Sequence, residues 1–201
     1  MNKSAHSGFN QDIVRKGGFT LARSAGFTLV ELLVVIAIIA ILAAVVVLIV
    51  NPLELTRRGR DAARLTDLAN LQSALNVAVQ EATGSGAMGI LCSTGGTTCE
   101  GASNTGTRES NGTGWAKADL SAQKSVSVAT LPVDPVNDGV YHYKYCAAND
   151  AWEVNTVLES EQQKNKMKDD GGNENAIDTS GRYEVGSNLN LIAASGGTCT
   201  Y

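Results

Sequence analysis

Histidine is nearly missing from this chain of 201 residues, which has two, His6 and His142. Acid–base catalysis most often recruits imidazole, and neither histidine has a patterned partner. No phosphate loop, metalloprotease motif or nucleophile elbow is present, so the sequence reads as a non-enzyme. Basic charge is also short. The formal net charge is −4, and after Thr83 there are eight basic and fourteen acidic side chains. That balance repels phosphate and argues against direct nucleic-acid binding. Aromatics are 5% of the residues, and Thr83 to about Thr113 is a Gly/Ser/Thr/Asn stretch with little to bury, which reads as loop.

Charge is absent altogether from Leu32 to Val50. About 20 apolar residues at 1.5 Å rise cover the roughly 30 Å of bilayer hydrocarbon, so one helix can span. Lys3, Arg15, Lys16 and Arg23 precede the run against the single acid Asp12, which places the amino terminus in the cytoplasm. A secretory signal has a shorter apolar core and a small-residue cleavage site, so this segment is expected to be kept. Glu31 stands at its head, and a charge in hydrocarbon costs roughly 2.5 to 3.5 kcal/mol. Thr28-x-x-Glu31 also fits a capping box, in which the two side chains serve free backbone donors at a helix start.

The string Gly26-Phe27-Thr28-Leu29-Val30-Glu31 resembles the processing site of type IV prepilins and pseudopilins. The resemblance implies that a prepilin peptidase cuts between Gly26 and Phe27 on the cytoplasmic side and methylates the new amino terminus at Phe27. It implies further that Glu31 pairs with the terminal amine of a neighbouring subunit during assembly. Residues 1–26 are then a leader peptide and 27–50 the transmembrane and filament-core helix. Gly18-Phe19-Thr20-Leu21 repeats the same four letters, but a cut there puts Arg23 where the family has glutamate.

Beyond the span, 51–82 is expected to continue as an amphipathic helix. Leu65, Leu68, Leu71, Leu75 and Val79 recur at three or four residues, and Thr83-Gly84 offers a stop. Pro52 and Gly59 are the expected kink positions. Joined, the two halves make a helix from Phe27 to about Ala82, on the order of 80 Å long.

Residues 83–201 leave room for one small extracytoplasmic domain, loop-rich over 83–130 and with a sheet over 131–201. Strands are expected at Val140–Cys146 and Trp152–Leu158, joined as a hairpin through Ala147-Ala148-Asn149-Asp150, then at Tyr183–Val185 and at Leu189–Ala193. Glu159–Lys168 reads as a short surface helix or a loop. The expected fold is α+β and pilin-like, a long helix packed on a small antiparallel sheet. Leu131-Pro132-Val133-Asp134-Pro135 resembles an element that precedes the sheet in major pseudopilins. A tryptophan commonly follows there, where this chain has Val136.

Four cysteines allow three pairings. Cys92 and Cys99 lie close enough to close a small loop, which leaves Cys146 and Cys199 to tether the tail, an arrangement resembling the carboxy-terminal disulfide loop of many type IV pilins. Major pseudopilins often hold calcium in a late loop, where this chain offers Asp169, Asp170, Asn173, Glu174, Asn175 and Asp178, hard oxygen ligands whose spacing fits no defined pattern. Asn111-Gly112-Thr113 is a glycosylation sequon by pattern.

The resemblance implies a structural subunit of a type IV pilus, a surface filament for adhesion, motility or uptake. Its partners are other pilin subunits, the prepilin peptidase, a membrane platform with an assembly motor, and the lipid bilayer before assembly. The expected location is the cytoplasmic membrane, single-pass, and then the extracellular filament. A pseudopilin of a type II secretion system is the alternative. A single-pass anchored binding protein that never polymerises is the third.

Overall fold

The computed structural model describes residues 26–82, 86–121, 123–125 and 128–201. The leader up to residue 25 and the expected helix stop at Thr83-Gly84 lie outside them. The chain divides into two compact units, residues 1–46 and 47–201.

Helix α1 spans Leu29–Ile49, and its 21 residues include one charge, Glu31. At 1.5 Å per residue it is roughly 31 Å long, matching the hydrocarbon thickness. Helix α2 spans Pro52–Glu81. Val50 and Asn51 separate the two helices. Asn51 ends the first by capping the second, its side chain accepting from the Glu54 N–H at 3.3 Å. Pro52 takes the first helical position, where a missing N–H costs nothing, and so begins α2. Gly59 lies inside α2 without a break, and a Cβ there would meet nothing within 4 Å.

The globular unit is built on α2. Its Leu68, Leu71, Ala74, Leu75 and Ala78 are buried, and they pack with Trp115, Leu131, Tyr143, Tyr145, Trp152, Val154 and Val185 in one core. Each such leucine contributes about 1.5–3 kcal/mol through burial. The sheet opposite is four-stranded and wholly antiparallel, in the order β1-β2-β3-β4. Its strands are β1 Thr98–Ala102, β2 Lys144–Ala148, β3 Ala151–Thr156 and β4 Tyr183–Gly186. The layout is α+β and pilin-like, an apolar amino-terminal helix plus a small antiparallel sheet.

Several boundaries differ from the sequence reading, each for a local reason. Strand β2 begins at Lys144 rather than Val140, because the N–H groups of Val140 and Tyr141 donate to the Asp138 carboxylate instead of to a ladder. The hairpin turn narrows to Asn149-Asp150, both at positive φ, since Ala147 and Ala148 pair with Trp152 and Ala151. Asn and Asp tolerate that left-handed geometry, which suits two-residue hairpins. Leu189–Ala193 is not a strand. Its Leu191 and Ile192 N–H groups donate to Glu153, leaving one bridge between Ile192 and Cys199.

The stretch read as loop holds helix α3, Gly86–Leu91, and strand β1. Small residues there are a packing requirement, because a Cβ on Gly101 would collide with the Trp115 carbonyl. Helix α4, Lys166–Asp169, sits in the charged stretch and buries Met167.

The face of the sheet away from α2 is covered by the tail, through disulfide-bonded Cys146 and Cys199 packed with Ala148, Leu191 and Ile192. The second disulfide joins Cys92 to Cys99. Carboxylates stitch the covering segments down. Glu153 accepts from Leu191 and Ile192, Glu184 from Glu174 N–H, and Glu174 from Ala194. Burial raises the pKa of Glu153. Burial and the nearby Glu153 charge push Glu184 up to about 8, against the Glu174 N–H.

A carboxyl raised in the folded state binds its proton more tightly there than in the unfolded chain. Its contribution to stability therefore falls as pH rises from the ordinary glutamate range towards 8. Glu184→Gln mimics the protonated acid. Its urea midpoint is expected to match wild type near pH 5 and to exceed it at pH 9. Equal midpoints at both would show that Glu184 does not hold a proton.

Candidate functional site

The amino-terminal end of α1 forms the reciprocal cap that its sequence pattern describes. The Thr28 N–H and Oγ1–H both donate to Glu31 Oε2 at 2.8 Å, and the Glu31 N–H donates to Thr28 Oγ1 at 3.2 Å. The Thr28 carbonyl accepts the first helical bond, from Leu32. Two backbone donors are thus served by side chains. Both bonds to the carboxylate land on Oε2, and the carboxylate keeps its full charge to offer elsewhere.

Phe27 is 82% exposed, and a Cβ on Gly26 would touch nothing within 4 Å. Among the described residues, packing holds neither of them. The rest of α1 is apolar on every side, with exposed residues all round where side chains are described. A helix hydrophobic all round belongs in lipid or among other helices. What the end of α1 can do chemically is present one anion, at the head of an apolar rod, to a cation from outside the chain.

A second group, in the globular unit, ties α2 to the sheet. Buried Arg64 donates to Asp134 through Nε at 2.6 Å and Nη2 at 2.8 Å. Its Nη1 donates to Asp61 at 2.9 Å and Glu159 at 2.6 Å. Arg60 adds a bond to Glu159 at 2.8 Å. Asp61 also accepts the N–H groups of Glu159 and Ser160, which fixes the chain where it leaves β3. Burial works to lower the Arg64 pKa, but Asp134 foremost, then Glu159 and Asp61, hold it above the ordinary arginine value. Burial likewise works to raise Glu159, yet Arg60 and Arg64 bring it below its ordinary value.

Asp134 belongs to the 131–135 element and does more than make a stiff turn. Its Oδ1 also accepts from Val136 and Asn137 N–H. Trp115 is buried and donates to the Pro132 carbonyl at 2.8 Å, while Val136 is partly exposed.

Sequence reasoning did not single out Asp61 or Arg64, although a signal was there. Asp61, Arg64, Leu68, Leu71, Leu75 and Ala78 are all buried and follow one another at alternating steps of three and four. Charges that continue an apolar stripe are placed for burial.

The remaining candidates do not gather into a site. Asp170 accepts from Gly172 and Glu184 N–H, and Asp178 from Ser180. With Asp169 they form no convergent set, and among the described residues no group of three or more His, Cys, Asp or Glu side chains could hold a metal ion. The His142 Nδ1 lies 3.1 Å from the Asp138 carbonyl oxygen, and burial lowers its pKa.

Comparison with known families places the prokaryotic N-terminal methylation motif on residues 21–47. The match takes in the Gly26/Phe27 junction, Glu31 and most of α1, and does not extend to the sheet. No curated protein and no solved structure matches the chain. The chain thus carries a type IV prepilin-like signal, and that motif points to a structural, membrane-anchored, pilin or pseudopilin-like protein.

Proposed function

We propose that this prepilin-like chain is a structural subunit of a type IV pilus, cut between Gly26 and Phe27, held in the cytoplasmic membrane by α1, and then polymerised through that helix. The observation that carries the reading is the single anion of α1, Glu31, standing one turn from the Gly26/Phe27 junction. Cleavage there creates a cation four residues before the acid. On one chain the two are close in sequence, but Glu31 already serves its own cap, and in a bundle of apolar helices the amine of a neighbouring subunit is the counter-charge that hydrocarbon lacks. Subunits would exchange lipid contacts for helix–helix contacts, with an external motor on a membrane platform driving the exchange.

The membrane form would cross once with its amino terminus in the cytoplasm, and the globular unit would end on the surface of an extracellular filament. Mass spectrometry of the mature protein tests the reading. The expected amino terminus is methylated Phe27; an uncut leader, or an unmodified terminus elsewhere, would instead support a simple membrane anchor.

A pseudopilin of a type II secretion system is the second reading. The observation that favours it is the 131–135 element, whose Asp134 is tied to Arg64. Finding the protein in surface filaments, rather than in a secretion complex, decides between the two.

A further inference from the structure

We infer that Asn111 is an acceptor for an N-linked saccharide. The chain has two Asn-x-Ser/Thr triplets, Asn2-Lys3-Ser4 and Asn111-Gly112-Thr113, and only the second falls in the globular unit. A triplet alone is weak, since many are never modified, but here the turn itself presents the acceptor. Asn111 and Thr113 are exposed, while Ser110, Gly112 and Gly114 between and beside them are buried. The Asn111 carboxamide oxygen accepts from Thr113 N–H at 3.1 Å and from Thr113 Oγ1 at 2.7 Å. Both bonds go to oxygen, and Nδ2 makes no hydrogen bond among the described residues.

Donation to the carbonyl withdraws electron density from the amide and makes an Nδ2 proton easier to remove. Gly112 is required, because its φ is +84° and a Cβ would collide with Ser93 Oγ. The turn is pinned at its base by the bond from Leu120 N–H to the Ser110 carbonyl at 2.8 Å and by the bridge between Asn111 and Asp119. Glu109, exposed two residues ahead, adds an anion by which a transferase with a cationic site can read the same turn.

The co-reactant is a saccharide carried on a polyprenyl pyrophosphate. Nδ2 forms a bond to the anomeric carbon, the carbon–oxygen bond to pyrophosphate breaks, the lipid pyrophosphate leaves, and one Nδ2 proton passes to a base of the transferase. The inference rests on the proposed function only for location, since the globular unit must lie outside the cytoplasm.

The test is glycopeptide mass spectrometry on the full protein purified from the cells that make it. Wild type is expected to carry a saccharide on Asn111, lost in Asn111→Gln and Thr113→Val, retained in Thr113→Ser, and several-fold less occupied in Glu109→Gln. An unmodified Asn111, or a saccharide that survives Thr113→Val, overturns it. The same digest reads the terminus at Phe27, so a cut leader with a bare Asn111 sinks this inference and leaves the subunit reading standing.

Discussion

Glu31→Gln is expected to enter the membrane normally and to fall out of filaments, by on the order of a hundredfold in incorporated subunit if about 3 kcal/mol of charge pairing is lost. The choice of glutamine matters. The cap uses Glu31 only as an acceptor for Thr28 N–H and Oγ1–H, and a glutamine carbonyl accepts both. The variant therefore keeps the helix start and removes the charge. Glu31→Ala removes both and cannot tell the two roles apart, though it too should insert and fail to incorporate. If capping were the whole purpose of Glu31, the glutamine variant would assemble like wild type and the alanine variant would not. Shearing and quantifying surface filaments against membrane-bound subunit gives the answer. Full piliation with glutamine would remove the electrostatic basis of the assembly model.

Arg64→Met is expected to lower the melting temperature of the globular unit by on the order of 10 °C. Arg64 is the cation on which Asp61, Asp134 and Glu159 converge. Removing one partner of a buried ion cluster costs about 3–5 kcal/mol, because the others stay buried without compensation. Against a total stability of roughly 5–15 kcal/mol, that is a large fraction.

The pH dependence has a definite sign. Glu159 is held below its ordinary pKa by Arg60 and Arg64, so in wild type its contribution is present above the ordinary glutamate range and is lost as pH falls through the lowered folded value. Without Arg64, Glu159 loses part of that lowering while its burial remains, and the deficit of the variant should shrink between pH 7 and pH 4. Trp115 and Trp152 are fully buried, so their fluorescence reports the melt in the full chain in detergent. A variant that melts within a degree or two of wild type at pH 7 would show that the cluster contributes little.

The two predictions sit at opposite ends of what the sequence discloses. The cap and the lone acid of α1 are local: Thr28 and Glu31 are three residues apart, and one turn of helix suffices to define their geometry. The leucine stripe of α2 is local in the same sense, as is the β2–β3 hairpin, where two residues of turn chemistry set the pairing. Legibility failed where the deciding partner is remote. Gly101 and Gly106 looked like loop because small residues suit loops, whereas Trp115 lies so close to both that neither has room for a Cβ. Leu189–Ala193 looked like a strand by alternation, but Glu153, on another strand, takes the N–H groups of Leu191 and Ile192 that a ladder would use.

By itself, then, the chain determined a membrane-length rod with one acid at its head and a helix–sheet unit after it. Each of these follows from neighbours a few positions apart, through helix rise and side-chain period. The stripe puts Asp61 and Arg64 on the inward face of α2, but only the tertiary structure decided what compensates them there. Their partners Asp134 and Glu159 lie 70 and 95 residues from Arg64 along the chain. A buried charge is tolerable only once its counter-ions have been folded against it.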